Sequence, residues 1–212
     1  MNNRRAITII LSIANLCLFV IYVSAWIKPA AQNKKMIIRR LTLSKEPVAI
    51  SFNLKGQPVN ASEAVRAEQG IRAEEFEGDP DWVRDLTLKL RNTSDKTITY
   101  IELDLHFPDV TRNGRTALHQ IFLGVDSDGK FQRAELRLAP HQTIEIPLAV
   151  KYDNIKNLVE KGGNTPLGNV TKLWVEFHSA LSEDGTLFEA GTLYRRNPDQ
   201  SDPRKWLKID KP

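Results

Sequence analysis

From residue 86 to residue 91 the chain alternates Leu86, Leu88 and Leu90 with Thr87, Lys89 and Arg91. A period of two places the leucines on one face of an extended segment and the polar groups on the other, which predicts a half-buried strand. Turn-forming Asn92, Thr93, Ser94, Asp95 and Lys96 follow, and then Ile98, Ile101, Leu103, Leu105 and Phe107 against Thr99, Glu102, Asp104 and His106. The pair predicts an antiparallel hairpin ended by Pro108. The alternation slips at Tyr100, a sign of a bulge.

Shorter alternating stretches predict strands over residues 49–54, 118–125, 135–138 and 143–150, each bounded by turn residues. Residues 172–181 run through Leu173, Val175 and Phe177 and turn at Glu183, Asp184 and Gly185 into 186–194, predicting a second hairpin. Helical signal is confined to residues 60–77, where Ser62 can cap, and to 153–161, which ends at Gly162 and Gly163. Seven or eight short strands without a strand-helix-strand rhythm predict two antiparallel sheets packed face to face. The expected fold class is a mainly β sandwich over residues 36–196, preceded by an anchor at 1–35 and followed by an extended arm at 197–212.

Residues 6–27 form an apolar run interrupted only by Thr8, Ser12, Asn15 and Ser24, with Arg4 and Arg5 before it and Lys28, Lys34 and Lys35 after it. A spanning helix needs roughly 20 apolar residues, so this run is long enough to cross a bilayer. Two outcomes stay open: retention as a single-pass anchor, or cleavage as an export signal after Val23-Ser24-Ala25. Length and Trp26, placed where an interfacial aromatic belongs, favour retention. Arg4 and Arg5 favour a cytoplasmic amino terminus and an extracytoplasmic domain, although Arg39 and Arg40 pull the other way.

The formal net charge of +4 and pI near 9.2 belong to the anchor. Removing the five basic residues of 1–35 leaves 25 Lys and Arg against 26 Asp and Glu, so nucleic acid is not an expected partner. Lys34, Lys35, Arg39 and Arg40 read as facing lipid head groups or as a solvated linker. Cys17, the only cysteine, lies in the apolar run and leaves the domain without a disulfide or a cysteine-based metal site.

The segment Leu88-Lys89-Leu90-Arg91-Asn92-Thr93-Ser94-Asp95-Lys96-Thr97-Ile98, with Leu138-Ala139-Pro140 leading to Thr143-Ile144-Glu145-Ile146-Pro147, resembles the immunoglobulin-like domains of exported bacterial proteins, including the FxLYD type. Where that family carries Leu-Tyr-Asp, this chain has Leu105-His106-Phe107-Pro108-Asp109. The resemblance implies a structural or adhesive module without catalysis, hence an interaction module of a bacterial envelope with a protein partner there.

Motifs for phosphate binding, serine nucleophiles and zinc hydrolysis are missing, and no cofactor is expected. Asp126-Ser127-Asp128-Gly129 opens like a calcium loop, but Lys130 and Arg137 occupy ligand positions, so it reads as a turn. Strand phase puts Asp104 and His106 on one face and Glu176 and His178 on another. Were those strands neighbours, the four side chains could serve as ligands for zinc or a similar ion, the plainer reading being a solvated polar face. Trp174 shares the phase of Glu176 and His178, so these three form a candidate platform for a carbohydrate or peptide, unless residues 60–77 or the arm cover the indole. Trp82 reads as core.

Overall fold

The computed structural model describes residues 34–43, 45–59, 71–112, 114–126, 135–199 and 205–209. The chain divides into Met1–Gln32, outside the described residues, and the compact unit Asn33–Pro212, to which every element below belongs. The apolar run 6–27 therefore lies outside the description, and among the described residues no helix is long and apolar enough to cross a membrane.

The unit is mainly β. Its smaller sheet is antiparallel, in the order β3 (Gln57–Pro58), β2 (Val48–Leu54), β5 (Leu86–Asn92), β8 (Thr143–Pro147). Strand β5 carries the leucine alternation: Leu86, Leu88 and Leu90 are wholly buried, facing Ile50 and Phe52 of β2 and Ile146 of β8 in register. Each such leucine contributes roughly 1.5–3 kcal/mol by leaving water.

The larger sheet is mixed. Strand β9 (Lys172–Ser182) pairs along one edge with β6 (Ile98–Arg112), which pairs in turn with β7 (Arg115–Gly124). Its other edge is divided: β1 (Lys34–Leu41) runs parallel to it from Lys172 to Glu176, and β10 (Thr186–Glu189) antiparallel from Ser179 to Leu181. Strand β4 (Ile71–Gly78) extends the sheet beyond β1, while β11 (Thr192–Arg196) and β12 (Trp206–Lys208) extend it beyond β10. Ile101, Leu103, Leu105, Phe107, Leu173, Val175, Phe177, Met36 and Ile38 join the leucines of β5 in one core, an arrangement consistent with the expected sandwich. Short helical turns close its side: α1 (Trp82–Asp85), a 3-10 turn (Leu148–Lys151), α2 (Tyr152–Lys156) and a π turn (Asn157–Gly162). The helix expected at 153–161 is thus present, burying Ile155 and Val159.

Several expectations are corrected. Strands β5 and β6 do not form a hairpin, because both edges of β5 are already taken by β2 and β8. The turn residues make a crossing between sheets instead. Buried Asn92 organises it: its amide donates to the carbonyls of Lys96 (2.7 Å) and Leu138 (2.9 Å), and its Oδ1 accepts from the Ser94 backbone N–H (2.9 Å). Residues 135–138 form no strand, only the bridge from Leu138 to Ile98. Pro108 does not end β6; it sits where the pairing with β7 shifts register, a position that needs no ladder donor. Pairing with β9 also shifts between Ile98 and Tyr100, where the alternation slipped.

Residues 71–77 are strand rather than helix, since β4 gains a full antiparallel ladder with β1 that outweighs local propensity; 60–70 lie outside the described residues, as do 127–130 of the expected calcium-like turn. Residues 186–194 are two strands, because Ala190 (φ 46°) and Gly191 (φ 83°) reverse the chain in left-handed conformations suited to a tight hairpin turn. In the expected arm, 206–208 pair with β11. Finally, Lys34, Lys35, Arg39 and Arg40 belong to β1, not to a linker, and Arg40 is buried: its guanidinium bonds Glu46 (2.7 Å) and the carbonyls of Ile50 (2.9 Å) and Val48 (3.1 Å).

Two outcomes test this packing. The side chains of Arg40 and Glu46 are only 9% and 3% exposed, so Arg40→Ala strands a buried carboxyl and should cost about 3–5 kcal/mol in urea titrations; a loss below 1 kcal/mol would contradict a buried pair. The second concerns Glu74 of β4. Burial raises its carboxyl above the ordinary 4.5, Arg72 and Arg40 offsetting only part, and its Oε2 has no hydrogen-bond partner. A raised folded value means that stability is intact below pH 4.5 and lost as the pH rises through the folded value. Glu74→Gln should therefore stabilise the protein at pH 7 and lose that advantage near pH 4, read as the difference in urea midpoint between variant and parent across pH.

Candidate functional site on the outer face of the larger sheet

Alternation decides what faces outward. With Leu103, Leu105 and Phe107 of β6 and Leu173, Val175 and Phe177 of β9 buried, residues 104, 106, 174 and 176 point to the opposite side. Strands β6 and β9 are neighbours, so the two pairs anticipated from phase do share one surface. Register arranges them in rows across the strands. Arg39, Trp174, His106 and Leu118 occupy one row, and Leu41, Glu176, Asp104 and Gln120 the next.

At the first row the surface is hollowed into a groove of about 310 Å³ lined by Arg39, Leu41, His106, Trp174, Val175 and Glu176. Trp174 is 40% exposed, an unusual state for an indole at the centre of a sheet. The Arg39 guanidinium carbon lies 5.7 Å from its ring centroid, within the range of a cation–π contact. Across the indole, His106 Nε2 is 3.4 Å from Glu176 Oε2, but the two are not aligned for a hydrogen bond, so this buried nitrogen lacks a hydrogen-bond partner.

The second row and its neighbours are tied together. Gln120 donates to Asp104 Oδ1 (3.2 Å) and to Glu102 Oε1 (3.4 Å), while Tyr100 and Ser179 donate to Glu102 Oε2 at 3.3 and 3.2 Å. Burial, and then the charge of Glu102, push the Tyr100 phenol well above its ordinary 10, so it stays a donor at neutral pH. His178 is the extra residue of a bulge, since Leu103 pairs with Phe177 and Glu102 with Ser179. Its Nδ1 lies 3.9 Å from Asp104 Oδ2.

The four anticipated ligands thus meet as two pairs, His106 with Glu176 and His178 with Asp104. Among the described residues no three His, Cys, Asp or Glu converge on one point. Of the anticipated platform, Trp174 and Glu176 line the groove and His178 lies beyond it. Two residues were not anticipated in this role. Arg39 read as part of a basic linker because Met36, Ile37, Ile38, Arg39, Arg40, Leu41 show no clean alternation; Leu118, 39% exposed, lies at the far end of the row. Trp82 is core, wholly buried, its indole N–H donating to the Val170 carbonyl (2.9 Å).

A larger cavity, about 530 Å³, lies beside Lys96, Thr186, Phe188, Leu193 and Ile209. Lys96 is already held there by Asp184 (2.7 Å) and Thr186 (3.0 Å), and its aromatic, Phe188, is 2% exposed. The smaller groove offers an open aromatic face with polar groups still to be satisfied, and is the better candidate.

Comparisons with family models, with curated proteins and with solved structures returned no match for this chain.

Because Trp174 is exposed, its removal should leave the fold standing. Trp174→Ala is expected to change unfolding free energy by less than about 1 kcal/mol, the scale of a surface cation–π contact; a loss of 3 kcal/mol or more in urea titration would mean that the indole is packed as core.

Proposed function

We propose that this chain is a non-enzymatic binding module that holds a carbohydrate against the outer face of its larger sheet, with Trp174 as the platform. The observation that carries this is the exposed indole in a groove between a guanidinium and a His–Glu pair. A sugar ring presents an apolar face of C–H bonds for the indole and a rim of hydroxyls for Glu176 and Arg39, which matches the mix of one flat apolar surface and few polar groups expected of a small-ligand site.

The backbone favours a sugar over a peptide. At Trp174 strand β9 is paired on both sides, with β1 at Arg39 and β6 at His106. No edge is open there to accept an extended peptide as an added strand, so recognition must come from side chains.

The wider reading is an anchored envelope module, held through residues 6–27 with this domain outside the cytoplasm or exported if the signal is cut, and able to meet a protein partner there. The finer fold assignment is immunoglobulin-like. Supporting it, β2, β5 and β8 follow the A-B-E order of such domains, and β7, β6, β9 and β10 follow the C′-C-F-G order. The resemblance to the FxLYD type is carried with it.

Full-length protein in mild detergent, titrated with a panel of oligosaccharides, should bind at least one class, and Trp174→Ala should weaken it on the order of tenfold or more while Trp174→Phe retains part. Binding indifferent to Trp174→Ala, or no saccharide bound, would reject the proposal.

A further inference from the structure

Resting on the carbohydrate reading of the Trp174 groove, we propose that the saccharide it takes is acidic, a uronate-type sugar whose ring carboxylate is held by Arg39. Arg39 lies beside the indole, its guanidinium carbon 5.7 Å from the ring centroid. A guanidinium carries its N–H donors in a planar fork that matches the two oxygens of a carboxylate.

The charge on Arg39 is also uncommitted. Lys35 on the same strand is taken by Glu75 (2.6 Å), and Lys172 at the start of β9 lies 3.6 Å from Asp109. Among the described residues, Arg39 has the indole as its partner and no carboxylate. A neutral sugar would leave that cation unused; an acidic one completes it.

The neighbouring row sets the orientation. Glu176 and Asp104 lie one row on from Trp174 and His106, two residues along the strand, or about 6.7 Å. A carboxylate on that side would meet like charge, whereas hydroxyls would donate to Glu176, so the acid group is directed to Arg39. His106 flanks the indole on the side away from Arg39, its Nε2 3.4 Å from Glu176 Oε2, and so forms that wall of the groove.

The test uses full-length protein in mild detergent with uronate oligosaccharides of several linkages and their methyl esters, which keep the ring and remove only the charge. The free acids should bind roughly tenfold tighter than the esters, the scale of a charge-assisted hydrogen bond. Raising salt should narrow the gap. Arg39→Gln should erase the difference between acid and ester while ester binding persists, and Trp174→Ala should weaken both. Acids and esters bound alike, or a preference for acids untouched by Arg39→Gln, would overturn the acidic assignment and leave the carbohydrate reading standing. No saccharide bound at all would overturn both. Binding of a basic peptide that depends on Glu176 and not on Arg39 would likewise assign the groove to another ligand class. Circular dichroism of Arg39→Gln, together with Arg39→Lys, which keeps the charge but loses the fork, separates loss of recognition from loss of fold.

Discussion

Strand β9 uses its backbone donors and acceptors on both edges, and the way the second edge is divided shapes the molecule. From Lys172 to Glu176 the neighbour is β1, running parallel; from Ser179 to Leu181 it is β10, running antiparallel. The change occurs at His178, the extra residue of a bulge against β6. A bulge adds local twist, so the two branches of the sheet can diverge from a common stem. With both edges consumed, the outer side chains of β9 are what this part of the sheet can offer a ligand.

Arg39 and Arg40 show how much one residue of phase decides. They are chemically alike and adjacent, yet in a strand successive side chains take opposite faces. Arg40 is buried, its two terminal nitrogens donating to Glu46 and two carbonyls of β2 while its Nε has no hydrogen-bond partner. Burial raises the Glu46 carboxyl even though Arg40 opposes the shift, which indicates a pair held by its surroundings at a desolvation cost. Arg39 meets water and an indole instead, and keeps its charge available.

Much of the fold was legible wherever one face of a strand is buried and the other wet. The leucines of β5, the alternation of β6 with its slip at Tyr100, and Leu173, Val175 and Phe177 of β9 were readable because burial imposes a period of two. Strands β1 and β4 were not, since Met36 to Leu41 has apolar and basic residues side by side, and Arg72 to Glu77 is dominated by charge; their ladders with each other and with β9 supply what local pattern lacks. The candidate site was legible in the same partial way. Phase put Trp174, Glu176, Asp104 and His106 on outward faces, but it carried no register, so it could not bring in Arg39 or show that the His and acid residues meet in twos.

Local order along the chain is enough to set which side of each amphipathic strand meets the core, the apolar character of residues 6–27, and where charge is concentrated. That residues 92–96 cross between sheets instead of closing a hairpin, that β1 lies parallel to β9, and that Arg39 comes to lie beside Trp174 are settled by tertiary pairing. Those outcomes depend on which strand edges remain open once others have paired, and edge occupancy is a property of the assembled sheets that no single segment encodes.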